Sequence, residues 1–456
     1  MTPSSNAPRA IRSRRVVTPD GTRAATIWIR NGFIERVGPF DEVPADGALA
    51  DGALADFGNA AISPGVVDAH VHINEPGRAD WEGFESATRA AAAGGVTTLV
   101  EMPLNASPVT TTVEAWREKE AATRGKLRVD CGFYGGLVAG NAPHMEPLID
   151  AGLLAIKAFL ISSGLDEFPA ARLSDLREAM PVLARRGAVL LVHAELEGEA
   201  GQTPPAPASR RYALYLASRP PDWEVRAIRQ MIALCREFGC RTHIVHLASA
   251  HALPELRAAK RQGLPITVET APHYLFFHAD EIPDGATQFK CAPPIRDQSN
   301  RERLWEGLRD GTIDFVASDH SPCPPALKHL DSGDFSLAWG GIASLQWTLP
   351  IVWSEARGRG FSLEDIARWT SERPAHLLGL SARKGAIEAG RDADLCVWEP
   401  ETAFTVNAGN NFHRHKVTPY EGRELHGLTR ATFLRGEAVF QNGEFPGEPR
   451  GEIIKR

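Results

Sequence analysis

The spacing of apolar residues along this chain divides it into three stretches. Over residues 1–60, AIRSRRVVTPDGTRAATIWIRNGFIERVG sets short β-branched runs between the turn signals Pro19-Asp20-Gly21 and Asn31-Gly32. An Asn-Gly pair between such runs predicts a two-residue hairpin, because both residues tolerate the positive φ of the tight turn. The same rhythm returns over 384–456, in KGAIEAGRDADLCVWEPE and TFLRGEAVFQNGEF, with a second Asn-Gly at Asn442-Gly443. Chain ends tend to lie close together in compact folds, so the two pieces predict one small β-sandwich built from both termini.

The middle stretch, 61–383, alternates strand-like and helix-like segments. Eight short apolar runs read as strands, at 65–69, 96–101, 127–134, 153–159, 188–192, 242–245, 266–269 and 313–317. Helix-like segments fall between most of them. One, at 81–93, is rich in alanine and is closed by Gly94-Gly95, a suitable C-terminal stop. Eight β/α repeats over roughly 300 residues predict an α/β fold, a (β/α)8 TIM-like barrel. The open doubly wound sheet lacks support, since no G-x-G-x-x-G or P-loop follows the first strand.

A barrel of this kind carries its chemistry at the C-terminal ends of its strands. His70 and His72 end the first run, two residues apart and so on one face of a strand. Lys157 lies near the end of the fourth run, His193 ends the fifth, His246 the sixth and Asp319 the eighth. Taken singly, each has a plain reading: a loop histidine, a lysine snorkelling to water, an aspartate capping a turn. Converging on one mouth, they read as a metal site. Neutral imidazoles and carboxylates suit Zn²⁺ and neighbouring first-row ions. A buried lysine loses its charge readily, and its neutral amine can take up carbon dioxide as a carbamate, a carboxylate-like bridge. Two ions about 3.5–4 Å apart hold a hydroxide and polarise a carbonyl. Asp319 is then the general acid–base of a C–N bond hydrolysis.

Bulk composition narrows the class. The chain has 456 residues, more than a usual single domain. It is 43% hydrophobic and 23% charged, ordinary for a globular enzyme. A formal net charge of −7 argues against a nucleic-acid-binding surface. No apolar run reaches a membrane-spanning length, and the N-terminal MTPSSNAPRAIRSRRVV has no apolar core of a secretory signal. Six cysteines without a CxxC pair do not form a disulfide framework, which points to a reducing cytoplasm.

The site pattern, an HxH after strand 1, a strand-4 lysine, two later histidines and a final aspartate, resembles the amidohydrolase superfamily. Within it the chain is similar to the cyclic amidohydrolases: dihydroorotases, hydantoinases (dihydropyrimidinases) and allantoinases, with the allantoinases nearest. HINEPGRADWEGFESATRAAAAGGVTTLVEMPLN, FKCAPPIRDQSNRERLWEGL, ASDHSPCPPALK and GDFSLAWGGIASLQ carry the likeness, which KGAIEAGRDADLCVW and HKVTPYEGRELHG extend to nearly the whole chain. The resemblance implies His70, His72 and Asp319 on a first metal, His193 and His246 on a second, and a carboxylated Lys157 bridging them. It implies two divalent ions, Zn²⁺ first and Mn²⁺, Co²⁺ or Fe²⁺ as alternatives. The reaction implied is opening of (S)-allantoin to allantoate in purine breakdown. A hydantoinase acting on other cyclic amides is the alternative, a dihydroorotase a more distant one, and a scaffold protein that has lost its ligands is opposed by the complete ligand set. The partner is a small cyclic ureide, and a homotetramer is what the family suggests. Asn74 stands where dihydroorotases place an arginine, and an asparagine suits an uncharged ureide. Asn74, Cys291 and Ser321 are the implied substrate contacts, Cys291 through its backbone. Glu101 and Ala326 depart from the Asp and Glu expected there. His243 reads as structural or as support behind a ligand. His413 and His415, a second HxH, have no expected role. The proline-rich 195–222 segment is expected near the mouth as a lid.

Overall fold

A computed structural model describes residues 9–42, 54–198 and 208–456. Five strands precede the barrel: β1 Arg9–Thr18, β2 Gly21–Arg30, β3 Phe33–Pro39, β4 Leu54–Asp56 and β5 Ala61–Pro64. The barrel strands are β6 Val66–Val71, β7 Val96–Glu101, β8 Asp130–Leu137, β9 Ala155–Phe159, β10 Val189–His193, β11 Arg241–Ile244, β12 Ile266–Thr270 and β13 Phe315–Val316. Three more follow: β14 Leu395–Thr405, β15 Glu424–Leu434 and β16 Glu437–Gln441.

All eight predicted barrel strands are present, each parallel to its chain neighbour, in the order β13-β12-β11-β10-β9-β8-β7-β6. The ring closes just beyond the last strand. Val71 bridges His320, the His72 N–H donates to the His320 carbonyl at 2.8 Å, and the Ser318 N–H donates to Asp68 Oδ1 at 3.1 Å. Strand β13 is shorter than its apolar run, because the chain soon turns into the left-handed region at Asp319 (φ 46°). Apolar residues on both faces fit strands enclosed by helices outside and side chains inside. The helix Phe84–Ala93 shows why alanine dominates there: seven of its ten residues are buried, and small side chains let it lie close to the sheet.

The two chain ends build one sheet, in the order β16-β15-β14-β5-β1-β2-β3, with β4 pairing β1. Both predicted Asn-Gly turns occur with positive φ at each residue, 54° and 83° at Asn31-Gly32 and 50° and 90° at Asn442-Gly443. A third such turn, Arg435-Gly436, joins β15 to β16 without an asparagine or aspartate to announce it. Gly436 meets Ile29 of β2, where a Cβ would come within 2.7 Å of Ile29 Cγ2. Strands far apart in the sheet order therefore touch. The sheet folds over itself as a sandwich, with Ile11, Ile27, Ile62, Leu395 and Phe433 in one core. Strand β5 differs from the expected boundary at residue 60. It pairs with β1 and β14, so the terminal sheet runs to Pro64.

The sheet is tied to the bottom of the barrel by a buried ion cluster. Lys384 Nζ lies 2.7 Å from Asp130, 2.9 Å from Asp392 and 2.5 Å from Asp394, and Arg435 adds a 2.8 Å contact to Asp130. The C-terminal tail returns to the same place, where Ile453 bridges Cys131. Among the described residues, no helix is long and apolar enough to cross a membrane.

Candidate metal centre at the barrel mouth

His70 lies within β6 and His72 just beyond it, and their rings stand 5.5 Å apart. His193 ends β10, His246 lies two residues past β11, and Asp319 three past β13. Ring centroids of His70 and His246 are 5.4 Å apart, and those of His193 and His246 4.6 Å. All five residues line one cavity of about 400 Å³. Lys157 is fully buried in β9, with Nζ 5.0 Å from the centroid of the Phe159 ring, and its charge would act on His72, His193 and His246. Two backbones here are costly: His246 has φ 37° and Asp319 φ 46°, where non-glycine residues are uncommon.

The hydrogen bonds suit cation ligands. His70 Nδ1 contacts Glu269 Oε1 at 2.5 Å. That carboxylate accepts a hydrogen bond from Nδ1–H, so Nε2 presents a lone pair, 3.3 Å from Asp319 Oδ1. Two electron-rich atoms then face each other, the arrangement a cation relieves. His72 Nε2 lies 3.9 Å from the same oxygen, and its Nδ1 is 3.4 Å from the Leu104 carbonyl. His70, His72 and Asp319 accordingly form a buried three-ligand cluster. On the other side, His193 Nε2 meets Glu195 Oε2 at 2.7 Å, which leaves Nδ1 free. His246 Nδ1 and Lys157 Nζ have no hydrogen-bond partner among the described residues. Buried polar atoms are rarely left so, and unpaired donors of this chemistry fit metal ions.

Burial favours the uncharged forms. It drives His72 and His246 well below the usual histidine range and takes His193 down to about 4, against the pull of Glu195. The same effect brings Lys157 down to about 7, offset only in part by Glu269 and Asp319. Asp319 is raised by burial, with His70 and Lys157 opposing. Burial also works on the supporting glutamates, but the neighbouring cation and imidazoles outweigh it. Glu195 falls to about 2 beside Arg219, and Glu269 falls below the carboxylate range beside His70 and His243.

Of the three expected substrate contacts, Ser321 and Cys291 line the cavity. Ser321 Oγ donates toward Asp319 Oδ1 at 3.1 Å. The Cys291 thiol, pushed up to about 12 by burial, stays protonated, and its carbonyl accepts from the Tyr215 hydroxyl at 2.6 Å. Asn74 is different: it is fully buried, absent from the cavity wall, and its Nδ2 donates to the Pro322 carbonyl at 3.3 Å. Its backbone is left-handed, φ 70°, which turns the short side chain behind the wall. Its Oδ1 has no hydrogen-bond partner among the described residues.

Other residues on or behind the wall escaped sequence reasoning. Glu195 joins His193 to Arg219, which lines the cavity together with Lys290 and Trp339. Glu269 stands between His70 and His243, its Oε2 lying 3.0 Å from His243 Nε2. A glutamate inside an apolar strand, as in ITVET, was the available signal. His413, given no role by the sequence, lies against His320 with the rings tilted and their centroids 4.6 Å apart, while Arg414 and His415 bond to Glu82 and the Asp80 carbonyl. Of the 195–222 segment, Tyr215 and Arg219 reach the cavity, and residues 199–207 lie outside the described residues.

This fold and this mouth define a metal-dependent hydrolase class, and residues 61–439 match the amidohydrolase family. The chain belongs to that family. It is 49% identical to an allantoinase of Streptomyces avermitilis, over 98% of each chain. It is 43% identical to an allantoinase of Arabidopsis thaliana, over 97% of this chain and 90% of that one. Among solved structures, the L-hydantoinase (dihydropyrimidinase) of Arthrobacter aurescens superposes with a TM-score of 0.89 at 31% identity, covering 98% of this chain and 99% of that one.

Proposed function

We propose that this chain is an allantoinase, which adds water across a ring C–N bond of allantoin to give allantoate. The observation that carries the reading is the convergence of four imidazoles and a carboxylate on one cavity, with a fully buried lysine, Lys157, that has no hydrogen-bond partner among the described residues. Sequence likeness to allantoinases over nearly full length directs it to this substrate.

We assign His70, His72 and Asp319 to one divalent ion and His193 and His246 to a second, with Lys157 between them as a carbamate. Zn²⁺ is the first choice, and Mn²⁺, Co²⁺ or Fe²⁺ satisfy the same ligands. Bound there, the ions supply Lewis acidity and a water that deprotonates near neutral pH. The chain's own residues do the rest. Burial brings Lys157 down to about 7, so near neutral pH a substantial share of its amine is uncharged and can add to carbon dioxide, forming the N–C bond of a carbamate and releasing a proton. Asp319 takes a proton from the attacking water and passes it to the ring nitrogen as the C–N bond breaks. Ser321 steadies the Asp319 carboxylate, and Arg219, Lys290 and Trp339 wall a cavity sized for one small ureide. A cytoplasmic location fits six buried cysteines without a disulfide. A homotetramer is part of the same proposal, and the molar mass in solution tests it.

A broader hydantoinase is the second reading, favoured by the structural likeness to L-hydantoinase. One assay separates the two. Protein supplied with Zn²⁺, Mn²⁺ or Co²⁺ is offered allantoin, hydantoin, dihydrouracil and dihydroorotate. Allantoin is expected to be turned over with the highest kcat/KM; preference for hydantoin or dihydrouracil moves the assignment to hydantoinase.

A further inference from the structure

Behind the metal-facing side chains sits one carboxylate that touches both halves of the ligand set. Glu269 lies near the end of β12 and is 1% exposed. Its Oε1 accepts from His70 Nδ1 at 2.5 Å and from the His246 backbone N–H at 3.3 Å. Its Oε2 lies 3.0 Å from His243 Nε2. His243 is itself fixed: Nδ1 is 2.8 Å from Thr267 Oγ1, and its ring stacks on Phe315 at 5.1 Å with 4° between planes. Three strands, β6, β11 and β12, therefore meet at a single side chain.

We infer that Glu269 is the positioning residue of the metal centre, holding ligands of both ions through one shared carboxylate. The inference rests on the ligand assignment proposed above. Two contributions follow from the contacts. First, by accepting the hydrogen bond of His70 Nδ1–H, Glu269 selects the tautomer whose Nε2 can bind a cation, and it fixes the ring plane that aims Nε2 at Asp319. Second, it holds the backbone N–H of His246, a residue whose φ of 37° needs outside support. His243 and Thr267 keep the carboxylate from rotating. The corresponding partner on the other side, Glu195, contacts only His193 among the assigned ligands, and its second partner is Arg219 on the cavity wall. Loss of Glu195 is thus expected to loosen one ligand, and loss of Glu269 two.

The test is Zn²⁺ affinity, measured by competition with a chromophoric chelator, on Glu269→Gln, Glu269→Ala and His70→Ala, with melting temperatures of the metal-free proteins. The Gln side chain keeps the size and an acceptor for His70 but offers an N–H where Oε2 faced His243. Glu269→Gln is expected to bind Zn²⁺ about 10–100-fold more weakly at a nearly unchanged metal-free melting temperature. Saturating Zn²⁺ should restore most of its kcat. Glu269→Ala is expected to lose more affinity than Glu269→Gln. Wild-type Zn²⁺ affinity in Glu269→Gln, with His70→Ala binding weakly, overturns the positioning role and leaves the ligand assignment standing. Wild-type affinity in His70→Ala overturns both. A metal-free melting temperature that falls in Glu269→Gln while Zn²⁺ affinity holds assigns Glu269 to folding alone.

Discussion

Two lysines are buried to the same degree at opposite ends of this barrel, and they live in opposite chemistry. Lys384, 2% exposed, has three aspartates within 2.9 Å of its Nζ, and their charges hold it protonated beyond the usual lysine range. Lys157, 0% exposed, has no hydrogen-bond partner among the described residues, and burial brings it down to about 7. Burial alone makes neither a structural nor a reactive lysine. The number of carboxylates within reach decides which it becomes. Three acidic residues gathered at the bottom also match the geometry of a metal site, but Lys384 already fills it. At the mouth, Glu269 and Glu195 are each engaged by a histidine from behind, and Asp319 faces His70 and His72 in a group that could hold a cation.

That contrast can be broken in order of effect. Replacing Lys157 with Ala should strip most bound metal and bring allantoin hydrolysis down to the level of metal-free protein. An added short carboxylate should restore part of it, read by metal analysis and initial rates. Lys384→Met should leave three buried carboxylates without their cation and lower unfolding free energy by about 3–5 kcal/mol, with little change in kcat of the folded fraction. Denaturant titration beside an activity assay checks both halves. Lys157→Met in metal-free protein should move the other way, gaining about 1–3 kcal/mol by removing a buried donor with no acceptor. A loss of stability there would mean that Lys157 is paired in the fold after all. At the bottom of the scale lies Lys455, half exposed and 2.7 Å from Glu120. Its change to Ala should cost less than about 1 kcal/mol, since solvent screens the pair.

Most of the frame was legible in the sequence because each feature has a local cause. Barrel strands enclosed on both faces appear as apolar runs, and the tight turns declare themselves as Asn-Gly. Histidines at strand ends are conspicuous once a barrel is assumed. What stayed hidden depends on distance or on backbone conformation. Glu269 and His70 are 199 residues apart, so their pairing has no spacing to read. The left-handed backbone of Asn74 and its hydrogen bond to the Pro322 carbonyl, 248 residues away, likewise have no local signal. His413 looked stranded in the terminal region, yet its segment crosses back to pack on His320 and bind the loop after β6. The expected boundary at residue 60 left β5 on the barrel side, and only its pairing with β1 and β14 assigns it to the sheet.

The central claim is that the mouth lysine, unlike its counterpart at the bottom, is free to react. Carbon-13 NMR of protein loaded with Zn²⁺ in ¹³C-bicarbonate tests it directly. A single carbamate resonance is expected in the wild type and in Lys384→Met, and none in Lys157→Ala. A spectrum without that resonance in active wild-type protein, or one in which it survives Lys157→Ala, contradicts the account.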